Sequence, residues 1–132
     1  MATIFKDIVI DVPPAQAWDA LRDVGALHTR LVKGFVTACR MEGETRIVTF
    51  ANGLVAHERI VDVSDAARRV AWSATGERLS HHNASAQVFD EPGGRSRLVW
   101  IADLLPHEMA PAIAGMIEQG LAAMKRTLEA AR

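Results

Sequence analysis

The segment His107–Arg132, HEMAPAIAGMIEQGLAAMKRTLEAAR, decides the fold. Met109, Ile113, Met116, Ile117, Leu121, Met124 and Leu128 recur at spacings of three and four, which gathers them into one stripe along a helix. At 3.6 residues per turn this predicts a helix of about seven turns. Pro111 falls in the first turn, where a missing backbone N–H is tolerated. Glu118, Gln119, Lys125, Arg126 and Glu129 occupy the rest of the wheel. Such a helix needs an apolar surface to lie on, and the rest of the chain offers a sheet.

Outward from that helix the period changes to two. TIFKDIVIDV places Ile4, Lys6, Ile8 and Ile10 on one side of a strand and Phe5, Asp7, Val9 and Asp11 on the other. PPAQAWDALRDVGAL switches to helical spacing: the prolines suit a helix start, Trp18 and Leu21 form a stripe, and Gly25 is expected to stop it. ALHTRLVKG reads as a weaker helical turn ending at Gly34. FVTACRME and TRIVTFA then flank EGE, and TRIVTFA and LVAHERIVDV flank Asn52-Gly53, a pair suited to a two-residue type I′ hairpin. SDAA separates RRVAWSAT, and HHNASAQVFD and RSRLVWIADLL flank EPGG. Hairpin connections imply an antiparallel sheet, hence an α+β protein.

The 132 residues carry 15 basic and 16 acidic side chains, a net charge of −1, with 49% hydrophobic and 23% charged residues. That balance fits one globular domain spanning 1–132 and offers nucleic acid no clustered positive surface. Cys39 is the single cysteine, which rules out an internal disulfide and a cysteine metal cluster; it reads as a small buried hydrophobe. MATIFKDIVIDV lacks the basic and apolar regions of a leader, and no apolar run is long enough to span a bilayer. A cytoplasmic protein without stable membrane insertion is the expectation.

VPPAQAWDALRDVGAL, HERIVDV followed by RRVAWS, GGRSRLVWIADLLP and GLAAMKRTLEA succeed one another along most of the chain. In that order they resemble the START-like SRPBCC superfamily, specifically its polyketide cyclase/dehydrase-like (lipid transport) group. The resemblance implies a helix-grip fold, a curved seven-stranded antiparallel sheet wrapped around the long C-terminal helix. It also implies a cavity between sheet and helix for an apolar or amphipathic ligand. The superfamily holds carriers, receptors and cyclases, so the fold leaves the chemistry open.

Strand alternation selects the residues that face such a cavity. Pairing Ala51 with Leu54 across Asn52-Gly53 places Glu58 opposite Ile47, and the SDAA turn sets Ile60 near Trp72. Leu98, Trp100, Ala102 and Leu104 form the inward face of their strand, and His82, Ala84, Ala86 and Val88 that of its neighbour. His81 and His82 therefore point to opposite faces and cannot share a metal ion, and no metal site is expected. The expected ligand-binding set is Glu58, Trp72, His82, Ala86 and Trp100 from the strands, with Ile113, Met116, Ile117, Gly120 and Met124 from the helix.

Glu58 and His82 are the polar handles of this set and its weak catalytic candidates, since histidine moves protons near neutral pH. The plainer reading pairs Glu58 with Arg46 or Arg59 at the sheet surface and packs His82 into the core or rim. Trp18 reads as packing between the first helix and the sheet, and the tryptophans as core first and ligand walls second. The chain has no tyrosine, HTRLVKG stands where relatives often carry an aromatic residue, and His82 stands where a tyrosine is frequent. These departures count against polyketide cyclisation. The leading expectation is a protein that binds a small hydrophobic or amphipathic molecule without a cofactor. The alternatives are an aromatase/cyclase-like enzyme of aldol closure or dehydration, with Glu58 or His82 as base, and a homodimeric interaction module. Monomer and homodimer both remain open.

Overall fold

The computed structural model describes residues 2–76 and 78–131. The chain forms β1 (Ala2–Ile10), α1 (Pro14–Arg22), a π-helical turn (Leu27–Leu31), then β2 (Val36–Glu42), β3 (Thr45–Phe50) and β4 (Val55–Ser64). β5 (Arg69–Thr75), β6 (His81–Glu91) and β7 (Arg95–Leu105) follow, and a 3-10 turn at His107–Met109 leads into α2 (Ala110–Ala130). The seven strands form one sheet in the order β1-β7-β6-β5-β4-β3-β2, with every neighbouring pair antiparallel. α2 packs on β1, β7 and the π-helical turn, which is the helix-grip arrangement.

Sequence explains most boundaries. Pro13 caps α1 and Pro14 takes its first position, while Ala17, Trp18, Ala20 and Leu21 turn their faces to the core. α1 ends at Arg22, before Gly25, and Gly25 does not adopt positive φ. A Cβ at Gly25 would instead lie 3.1 Å from Met41 Cγ, so this glycine serves close packing rather than the stop expected of it. The regular part of α2 starts at Ala110 and has 21 residues, so the helix is about a turn shorter than the seven turns expected. From Ile117 onward it buries Ile117, Leu121, Met124 and Leu128. Ile113 and Met116 in the first half are only half-buried.

The hairpin after β3 departs from the expected type I′ turn. Asn52 does not adopt positive φ, whereas Gly53 sits at +89°. Phe50 N–H donates to Leu54 O, Gly53 N–H to Phe50 O, and Leu54 N–H to Asn52 Oδ1. The loop therefore holds three residues, a turn closed by a left-handed glycine, and the register becomes Thr49↔Val55, Ile47↔His57 and Arg46↔Glu58. Glu58 thus faces Arg46, not Ile47. A one-residue slip exchanges the faces of a strand, and here it brings an arginine inside.

The remaining register expectations agree with the structure. Ile60 pairs with Trp72 just before a bulge that skips to Asp62↔Ala71. Ala84, Ala86, Val88, Leu98, Ala102 and Leu104 are all buried, with Ile10, Val48 and Val70 beside them. Each fully buried aliphatic side chain contributes about 1.5–3 kcal/mol. Ser96, fully buried, satisfies its hydroxyl by donating to Val12 O at 2.6 Å, tying β7 to the segment that leads into α1. No helix among the described residues is long and apolar enough to cross a membrane.

Candidate functional site

Between the sheet and α2, from Ile113 to Met124, lies a cavity of about 160 Å³. Of the ten residues expected to bind ligand, Glu58, Trp72, His82, Ala86, Trp100, Ile113, Met116, Ile117 and Met124 line this space. Gly120 does not, but a Cβ there would come within 2.7 Å of Trp100 Cζ3. The glycine therefore seats the Trp100 indole against α2. Trp100 in turn meets Trp72 edge to face, with ring centroids 5.7 Å apart.

Sequence reasoning missed two parts of the wall. One comes from the π-helical turn and the segment after it, where Leu27, Leu31, Val32 and Phe35 close one side, and Phe35 stacks edgewise on Phe50 of β3 at 5.3 Å. HTRLVKG gives only a weak helical signal because the turn is five residues long, although Leu27 and Leu31, four apart, are both buried. The other is Arg46. Its signal was the glycine of Asn52-Gly53, which serves a three-residue loop as well as a two-residue one.

Arg46 organises the polar part of the cavity. Its side chain is 5% exposed and that of Glu58 13%, and Nε donates to Glu58 Oε1 at 2.7 Å. Nη1 donates to Val24 O at 3.3 Å, and the guanidinium carbon lies 5.1 Å from the Trp72 ring centroid. Glu58 is thus paired with one of the basic groups considered for it, but in the interior rather than at the sheet surface. A planar guanidinium that donates in two directions while stacking on indole is the arrangement arginine allows and lysine does not.

His82 lies on the neighbouring side of the cavity, and His81 is exposed on the opposite face. His82 Nδ1 accepts the Ala74 N–H at 3.0 Å. An imidazole that accepts at Nδ1 carries its proton on Nε2. Burial pushes the His82 pKa below its ordinary value; the charge of Glu58 opposes this and His81 adds to it. His82 is therefore a neutral Nε2–H donor. Cys39 is half-buried with its thiol 3.8 Å from Val24 O, and burial pushes its pKa up, so it is no activated nucleophile. His57 is exposed on the outer face, away from Glu58.

Apolar walls carrying a few fixed polar groups are the usual make-up of a small-molecule site. A space of roughly 150 Å³ lined by aliphatic and aromatic side chains takes up a molecule of benzene size. This cavity matches that scale.

A family profile described as polyketide cyclase/dehydrase and lipid transport matches residues 1–129. No curated protein matches the chain in sequence. Among solved structures, the protein XoxI from Bacillus cereus superposes with a TM-score of 0.87 at 19% identity, covering 100% of this chain and 99% of that one. An uncharacterised protein from Bacillus thuringiensis gives 0.86 at 17% identity, over 96% and 98%. The di-domain ARO/CYC BexL from the BE-7585A biosynthetic pathway gives 0.83 at 13% identity, with 98% of this chain covering 47% of that one. At these identities the likeness is one of fold.

Proposed function

Because the chain belongs to the polyketide cyclase/dehydrase and lipid transport family, we propose that it binds a small apolar or amphipathic molecule between its sheet and α2. The observation that carries this reading is the cavity itself. It is apolar on nearly every side, and its charged members, Arg46 and Glu58, neutralise each other. Leu31, Val48, Val70 and Ile117 supply burial, while Arg46, Glu58 and His82 give a ligand a polar end to orient on. The half-buried state of Ile113 and Met116 fits a helix that covers an unfilled space. Flexible methionine thioethers adapt to ligands of varied shape.

Family membership covers cyclase and dehydrase chemistry as well. Binding is favoured over catalysis here because His82 has no free lone pair, Nδ1 accepting from Ala74 N–H, and Glu58 is fixed by Arg46 through Oε1, which leaves Oε2 as the one candidate acceptor. A general base needs a free lone pair within about 3 Å of the proton it removes. The test is a crystal structure from freshly purified protein, with mass spectrometry of whatever leaves on denaturation. Density between α2 and the sheet, within reach of Arg46 or His82, is the expected result. A core in which Trp72, Trp100 and Met116 close the space would refute the reading.

A further inference from the structure

The polar cluster also restricts the charge of the occupant. Arg46 and Glu58 form a contact pair at 2.7 Å, and His82 faces the same space as a neutral donor, so the group as a whole carries no net charge. Its unused hydrogen-bonding capacity is specific. Among the described residues Arg46 Nη2, His82 Nε2 and Glu58 Oε2 have no protein partner, whereas Nε, Nη1, Nδ1 and Oε1 are engaged. Two N–H donors beside one carboxylate oxygen, on otherwise apolar walls, match a carbonyl oxygen that accepts or a hydroxyl that both accepts and donates.

A carboxylate placed there would leave the interior with an excess negative charge, because Glu58 already compensates Arg46. An ammonium would leave it with an excess positive charge by the same count. Burying an uncompensated ion in apolar surroundings is far more costly than burying a hydrogen-bonded neutral group. The volume, about 160 Å³, sets the scale at one ring or a short chain.

We propose that the cavity selects an uncharged molecule of about one ring in size, bearing a carbonyl or hydroxyl oxygen that accepts from Arg46 Nη2 or His82 Nε2, and that the Arg46–Glu58 pair excludes carboxylates and amines of the same shape. This rests on the reading of the cavity as a binding site. The two fail differently.

The experiment titrates 15N-labelled protein at pH 7.5 with benzene, cyclohexanone, cyclohexanecarboxylate and cyclohexylamine, following the indole N–H signals of Trp72 and Trp100. Cyclohexanone is expected to bind at least tenfold more tightly than the carboxylate and the amine. In Glu58→Gln, which keeps an oxygen acceptor for Arg46 Nε but removes the negative charge, the carboxylate is expected to gain at least tenfold relative to cyclohexanone. Carboxylate binding equal to cyclohexanone in the wild type, or unchanged by Glu58→Gln, overturns the charge selection while leaving ligand binding intact. Failure of benzene and cyclohexanone alike removes the binding reading and the selection with it.

Discussion

Replacing Glu58 by alanine strands Arg46. The Arg46 side chain, 5% exposed, loses its 2.7 Å partner and keeps only the Val24 carbonyl and the Trp72 face. Breaking a buried ion pair by removing one member costs about 3–5 kcal/mol, because the remaining charge stays desolvated and uncompensated. The cation–π contact and the carbonyl offset part of this, so the expected loss is about 3 kcal/mol, at the lower end of that range. With an unfolding entropy of roughly 2.1 cal/mol/K per residue, 132 residues give about 0.28 kcal/mol/K, and the melting temperature should fall by about 11 °C. Urea unfolding followed by far-UV circular dichroism measures the free energy directly. The control is a double variant, Arg46→Met with Glu58→Leu, which exchanges the pair for apolar groups of similar volume. It is expected to lie within about 1 kcal/mol of the wild type, since a buried pair and a well-packed apolar substitute are of comparable stability. A Glu58→Ala protein within about 0.5 kcal/mol of the wild type would mean that the pair is exposed, in the range of a surface salt bridge.

Two glycines of α2 are expected to respond oppositely to alanine. Gly115→Ala meets nothing within 4 Å and should gain up to about 1 kcal/mol of helix propensity; Gly120→Ala sets a Cβ 2.7 Å from Trp100 and should lose about 1–3 kcal/mol to overpacking, offset in part by propensity. Urea midpoints decide it, and destabilisation by both or neither would contradict the seating of Trp100. Because the folded-state pKa of His82 is depressed from its ordinary 6.5, the unfolded chain binds the proton first as pH falls, so stability should decline below about pH 6.5 and be retained above it. His82→Asn keeps an acceptor for Ala74 N–H and should flatten that decline; equal slopes for the two proteins would refute the assignment. Ser96→Ala removes the only buried hydroxyl bond to Val12 O found among the described residues and should cost about 1–3 kcal/mol in the same urea assay, with no change marking the bond as dispensable.

Much of the fold was readable because two periods, 2 and 3.6, alternate cleanly along the chain. Strand limits such as His81–Glu91 and Arg95–Leu105 follow from alternation and from turns rich in glycine. The stripe Met109 to Leu128 marks α2 and its buried face. The register of β3 against β4 was not readable. Asn-Gly supports a two-residue loop with both residues at positive φ and equally a three-residue loop with only glycine there, and the choice depends on tertiary fit. That ambiguity hid Arg46, because inward and outward positions exchange with each one-residue slip. The wall made by Leu27, Leu31 and Phe35 was hidden for a different reason. Leu27 and Leu31 stand four apart as on an α-helix, but a turn of five residues is too short to show a period or to tell which surface it covers. The chemistry of His82 lies further from sequence still, since its tautomer is set by a backbone N–H from another strand.

The central claim, an apolar cavity under α2 that admits a small molecule, is tested most directly by titrating 15N-labelled protein with benzene and reading its three tryptophan indoles. Trp72 and Trp100 line the cavity, while Trp18 lies outside it with Nε1 bonded to Asp65 at 3.0 Å. The account expects saturable shifts of Trp72 and Trp100 with Trp18 unmoved. No shift at any of the three, or equal shifts at all of them, would contradict it.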